Sequence, residues 1–121
     1  MAKILLLEDQ PFIAVDVEIL LSEHGYEHVT FSTCESAMEW LNSNTPLTAI
    51  VDPRLSDGLC GAVVRELVER GAPFVVYSGE TEFPTEIEPA FSKGERLSKP
   101  CAPEVLLAAI ERALKASEGA T

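Results

Sequence analysis

The chain has 121 residues, 20 Asp and Glu against 9 Lys and Arg, and a formal net charge of −11. That length supports one domain with a sizeable core, expected to span 1–121, and 46% hydrophobic with 24% charged residues is ordinary for a soluble globular chain. The acid excess excludes nonspecific nucleic-acid binding, which needs cations to displace counterions from phosphates.

No apolar run approaches the roughly 20 residues of a membrane span. The N-terminal MAKILLLEDQ is too short for a signal-peptide apolar region, so the expected location is the cytoplasm. Residues 1–53 hold nine acids and a single base, Lys3. Such a surface repels phosphate backbones, and the expected partner is a protein.

Residues 3–7, KILLL, form a short apolar run that stops at Glu8-Asp9. From Pro11 to His24 apolar residues recur at helical spacing, with Pro11 suited to the first turn and Gly25 to the stop. Within that helix Ile13, Val17 and Leu20 make one apolar stripe, and Phe12, Val15 and Ile19 a second. The first covers the sheet; the second either widens the core contact or docks a partner helix. Residues 27–31 read as a strand, and Ser32 or Thr33 caps a helix through about Asn42. LTAIVD is the next buried strand, followed by a helix over residues 59–70 that stops at Gly71. PFVVYSG is another apolar run, GERL at 94–97 a weaker strand, and Pro103 to Ala116 an amphipathic helix before a frayed SEGAT tail.

The pattern is βα repeated five times, which predicts a parallel sheet covered on both faces. In such sheets the site lies beyond the carboxyl ends of the strands. Glu8-Asp9, Asp52, Ser78 and Lys99 each stand at such an end. Three carboxylates crowded together require a cation, and an all-oxygen donor set on few protein groups suits Mg²⁺. A carboxylate in that setting is a nucleophile for phosphorus, with Ser78 a hydroxyl donor and Lys99 a point charge for phosphoryl oxygens. Taken singly each residue has a plainer role. Asp52 fits a turn or helix cap, Glu8-Asp9 a helix N-terminus, Ser78-Gly79 a turn and Lys99-Pro100 a loop. Their order at successive strand ends is what points to phosphoryl capture.

LLLEDQP, IVDPRLSDG, VVYSG and LSKP together resemble the signatures of response-regulator receiver domains, the CheY-like family, over essentially the whole chain. The resemblance implies a three-layer, doubly wound, flavodoxin-like (βα)5 fold with a five-stranded parallel sheet in the order 2-1-3-4-5, an order for which this family is itself the standard example. It also implies that Asp52 accepts a phosphoryl group from a sensor histidine kinase or a histidine phosphotransfer protein. Asp9 then holds Mg²⁺ directly, Glu8 through water, and Asp52 and the backbone carbonyl of Arg54 complete the protein ligands. Ser78 and Lys99 contact the phosphoryl group. The chain is expected to be a bacterial stand-alone receiver without an output domain, acting through phosphorylation-dependent contacts with an unknown downstream protein or as a phosphorelay shuttle or sink. It is not expected to be an enzyme beyond its own phosphorylation and dephosphorylation. An aspartate phosphatase is disfavoured because its DxD pattern fails at Arg54. The alternative is a receiver-like binding module that works without phosphorylation.

Several residues depart from the family pattern. The aromatic expected three residues before the lysine is Arg96, unless the register there shifts. Residues 80–92 carry Pro84 and Pro89 and four glutamates, which predicts a shortened or irregular fourth helix. PFVVYSG partly resembles the PFxFATG motif of an atypical single-domain receiver group. Arg54 and Glu80, each two residues past a site residue, either pair to gate small phosphodonors or are two solvated side chains. The three cysteines, Cys34, Cys60 and Cys101, contain no CxxC and no metal spacing, so reduced thiols are expected, with a redox role for Cys60 or Cys101 the alternative.

Overall fold

The computed structural model of the protein describes residues 2–79 and 88–119. The first apolar run is strand β1 (Ile4–Leu7), followed by helix α1 (Pro11–Glu23), β2 (His28–Phe31) and α2 (Cys34–Leu41). Then come β3 (Thr48–Val51), a short hairpin of β4 (Arg54–Leu55) and β5 (Gly58–Leu59), and α3 (Gly61–Glu69). β6 (Phe74–Ser78), a 3-10 helix (Pro89–Lys93), β7 (Glu95–Ser98) and α4 (Pro103–Gly119) complete the order.

Five of the strands form one parallel sheet in the order β2-β1-β3-β6-β7, the doubly wound flavodoxin-like arrangement expected from the sequence. β1 and β3 are buried at every position because helices cover both faces of the sheet. Alternation along each strand divides the core in two. Leu5, Leu7, Ala49, Val51 and Val76 meet α2, α3 and Phe91 on one face. Ile4, Leu6, Ile50 and Tyr77 meet α1 and α4 on the other.

Local signals position these elements. Pro11 opens α1, and the Thr33 side chain accepts the Ser36 N–H at 3.2 Å to cap α2. Gly71, with φ at 68°, turns the chain out of α3 in a conformation that disfavours a side chain.

Four expectations need correction. Residues 54–59 form a hairpin around Ser56-Asp57, so α3 begins at Gly61 rather than at residue 59. The last helix continues to Gly119 instead of fraying after Ala116. Cys34 and Cys60 are joined in a disulfide, and only Cys101 is a free thiol, against the expectation of reduced thiols. The pattern shows no such pair because 26 residues separate the two cysteines, and only the packing of α2 beside α3 brings their Cα atoms to 5.4 Å. On α1, Phe12, Val15 and Ile19 are exposed, so they do not widen the core. Of the irregular fourth helix, Pro89–Lys93 is a single 3-10 helix with Phe91 buried, whereas residues 80–87, Glu80 and Pro84 among them, lie outside the described residues. No helix among the described residues is long and apolar enough to cross a membrane.

The turn into β7 leaves no room for a side chain at Gly94. An ideal Cβ there would stand 2.5 Å from the Phe74 ring and 2.7 Å from its carbonyl oxygen. Gly94→Ala should therefore destabilise the protein by about 1–3 kcal/mol through overpacking, read as a lower urea midpoint at unchanged slope.

Candidate functional site

Burying a polar side chain is costly unless it is paired, so buried polar groups are informative. Among the described residues they are Glu8, Thr48, Asp52 and Ser78. Thr48 is satisfied locally, donating to the Pro73 carbonyl at 2.9 Å. The other three lie at or just beyond the carboxyl ends of β1, β3 and β6, where parallel pairing brings neighbouring strand ends together. Lys99 follows the end of β7 directly, at a cis Lys99-Pro100 peptide bond, and its backbone N–H donates to the Ser78 carbonyl at 2.9 Å.

The Lys99 side chain is only 9% exposed and reaches across the sheet end to both buried acids. Its Nζ lies 2.6 Å from Glu8 Oε1 and 2.8 Å from Asp52 Oδ2. Burial disfavours the ammonium, but hydrogen bonds and charge from Asp52 and Glu8 outweigh that, holding its pKa above the ordinary lysine value. The remaining carboxylate oxygens are also engaged. Glu8 Oε2 accepts the Gln10 N–H at 3.1 Å, and Asp52 Oδ1 accepts the Arg54 N–H at 3.1 Å. The Tyr77 ring lies beside the same ammonium, with its centroid 5.6 Å from Nζ.

Asp9 completes the acid set. One oxygen each from Glu8, Asp9 and Asp52 lie within 4.8 Å of one another. Asp9, Asp52, Arg54, Ser78 and Lys99 line a common open pocket of about 430 Å³. Glu8, Asp9, Asp52, Ser78 and Lys99 are thus brought together as expected, and Arg54 lines the same pocket. Hard, anionic oxygen donors in an open pocket fit Mg²⁺, which prefers few protein ligands and retains waters. Glu80, the expected partner of Arg54, lies outside the described residues.

The register near Arg96 is unshifted. β7 pairs with β6 so that Arg96 faces Val76 and Ser98 faces Ser78, which places Arg96 three residues before Lys99 on an exposed strand position. Tyr77 was not singled out from the sequence. It reads there as one apolar residue in a strand, and its approach to Lys99 depends on β6 and β7 being adjacent.

No protein-family model matches the chain, and no curated protein matches it. Solved structures do. A CheY-like response regulator receiver domain protein from Methanospirillum hungatei JF-1 superposes with a TM-score of 0.88 at 18% identity, covering 100% of this chain and 99% of its own. The receiver domain of a sensor histidine kinase from Pseudomonas aeruginosa PAO1, with a magnesium ion coordinated in its active site cleft, gives 0.80 at 20% identity, covering 94% and 98%. NtrX from Brucella abortus, in complex with ADP, gives 0.79 at 30% identity over 98% of this chain but 27% of that longer one. The chain has the fold of the receiver domains of two-component response regulators.

The two carboxylates that balance Lys99 are also members of the three-acid cluster, which gives a two-part prediction. Without metal, Lys99→Met leaves clustered buried carboxylates unpaired and should cost about 3 kcal/mol. Added Mg²⁺ should restore part of that loss and bind the variant more tightly than the parent. The sign with pH is also set. Because the folded pKa is raised above the roughly 10.4 of unfolded lysine, the Lys99 pairs contribute fully below that pH and are lost as pH rises through the folded value. Urea unfolding across the alkaline range should show this loss in the parent and not in Lys99→Met.

Proposed function

We propose that the protein is a receiver that accepts a phosphoryl group on Asp52 from a phosphohistidine of a sensor kinase or phosphotransfer protein, and signals in the cytoplasm by protein contacts. The observation that carries this reading is the placement of Asp52, buried just beyond β3 but opening on the acidic pocket, with Lys99 on one oxygen and a backbone N–H on the other. The Pseudomonas neighbour, with magnesium in its cleft, supports Mg²⁺ as the cofactor, and Glu8, Asp9 and Asp52 are the side chains that would hold it.

In the reaction an Asp52 carboxylate oxygen attacks phosphorus. The new O–P bond forms as the N–P bond breaks, and the leaving imidazole keeps the electron pair and takes a proton. Bound Mg²⁺ supplies charge neutralisation for the phosphoryl oxygens. Lys99, already 2.8 Å from Asp52, needs only a short reorientation to pair with the incoming phosphoryl group. Ser78 lines the same pocket, and its hydroxyl would donate a further hydrogen bond to the phosphoryl group. Neither residue acts on a substrate that is then released, so this chemistry makes a switch rather than a turnover enzyme.

The donor surface we assign is the outer face of α1. Phe12 is 88% exposed, with Val15 and Ile19 beside it at 48% and 52%. This face borders an apolar cleft of about 520 Å³ between α1 and the start of α4, lined in part by Ile13, Tyr77, Lys99 and Leu106. A helix of the donor laid there would bring its histidine to the sheet end.

A second reading, constitutive binding without phosphorylation, draws support from Arg96, a charged, exposed residue where related receivers carry the aromatic that responds to phosphorylation. One experiment decides between them. Incubation with acetyl phosphate and Mg²⁺ should add a single phosphoryl mass, mapped to the peptide containing Asp52, and absent in Asp52→Asn or with EDTA. An unchanged mass in the parent, despite demonstrable Mg²⁺ binding and with a phosphohistidine donor also supplied, would favour the constitutive module.

A further inference from the structure

The Cys34–Cys60 bond occupies a particular place relative to Asp52. Cys60 is the N-cap of α3, and its N–H donates to the Pro53 carbonyl at 2.8 Å, closing the chain segment that begins beside Asp52. Cys34 is the first residue of α2. Between Pro53 and Cys60 lies the β4–β5 hairpin, which carries Arg54 at the pocket. The bond therefore fastens the segment leaving the reactive aspartate to a neighbouring helix.

The non-covalent ties between the same parts are exposed. Asp57 accepts the Cys34 and Glu35 N–H groups at 2.8 and 3.1 Å, and Ser56 Oγ donates to the Ser32 carbonyl at 3.1 Å. Those backbone donors hold the Asp57 carboxyl below its ordinary pKa, but water competes for every one of these contacts. The disulfide is the one covalent tie between the hairpin segment and α2.

The surroundings also suit the reduced pair. Cys60 is 1% exposed within the apolar cluster of Val63, Val64 and Leu67, where a thiol packs as a small hydrophobe. Cys34 Sγ lies 3.6 Å from the Gly58 carbonyl oxygen. The bonded sulfur has no proton to donate, but the thiol formed on reduction finds its acceptor already in place. Access is asymmetric, because Cys34 is half-buried and Cys60 is not reachable from solvent.

We propose that Cys34 and Cys60 are a reversible thiol–disulfide site, exchanged by a low-molecular-weight thiol such as glutathione, whose oxidised state clamps the β4–β5 hairpin to α2. In reduction, a glutathione thiolate attacks Cys34 Sγ, the S–S bond breaks, and Cys60 leaves with the electron pair and takes a proton to become the buried thiol. A second glutathione then attacks the mixed disulfide and releases the Cys34 thiol and glutathione disulfide. Two electrons and two protons enter the protein, and two glutathiones become one disulfide. Disulfides in a reducing compartment are characteristically transient and regulatory. The consequence for Mg²⁺ rests on the metal reading above: a clamped hairpin holds Arg54 in a fixed position at the pocket.

The test uses the whole chain without metal or phosphodonor, equilibrated across glutathione to glutathione disulfide ratios, quenched in acid, unfolded in guanidinium so that Cys60 is accessible, alkylated and weighed intact. Oxidised protein should take one alkyl group, at Cys101, and reduced protein three. Amide exchange in residues 54–59 should be about tenfold faster in the reduced form, with the α4 amides unchanged. Cys34→Ser should show two alkylatable thiols in every buffer and the fast hairpin exchange. A thiol count that stays constant across the whole series, or equal hairpin exchange in the two forms, overturns the proposal. Calorimetry with Mg²⁺ follows on both forms, with tighter binding expected in the oxidised one. Absence of Mg²⁺ binding from both forms would sink the metal reading instead, and the two failures are separable because thiol count and exchange are read without metal.

Discussion

The sheet end is held by one ammonium group. Glu8 and Asp52 come from neighbouring strands that pack side by side, and without a cation between them their desolvation and mutual repulsion would oppose the pairing of β1 with β3. Lys99 supplies that cation from the far side of the sheet, across β6. The same arrangement makes the pocket responsive. Glu8 and Asp52, which balance Lys99, also belong to the acid cluster with Asp9, so a cation arriving there would change what the lysine is paired with.

Most of this centre was legible in the sequence because its signals are local. Each acid ends an uninterrupted apolar run, and the rule that parallel strands gather their carboxyl ends converts a one-dimensional pattern into a cluster. Ser78 and Lys99 follow by the same reasoning. What escaped depends on pairs distant in the chain. The apposition of Cys34 and Cys60 comes from α2 lying beside α3, and the contact of Tyr77 with Lys99 from β6 lying beside β7. Neither leaves a trace in periodicity. The β4–β5 hairpin was missed for another reason: Leu59 lies next to the helical pattern of α3, and a two-residue strand is too short to show alternation. On α1 the pattern correctly offered two apolar stripes, but only burial separates the one that packs, with Val17 at 3% and Leu20 at 9%, from the one that faces out.

The surface is divided between two kinds of element. α1 presents large apolar side chains to solvent next to the site, which is costly for a helix with no partner. On the far side, β7 presents charge, with Glu95 paired to Arg112 of α4 by a bidentate contact at 2.9 and 2.5 Å. An apolar face and a charged one select different partners, and both elements lead directly to the lysine and the acids.

The order of strands in space differs from their order of synthesis. β1 emerges first yet lies inside the sheet, and β7, last of the strands, forms an edge. During synthesis from the N-terminus, all three pocket acids are therefore made long before the lysine that balances them. The sheet can lay down its central strands early, but its polar end stays electrically incomplete until the last strand docks. Closure of the pocket thus coincides with completion of the sheet, and a nascent chain halted before residue 99 would carry the acids without their counter-charge.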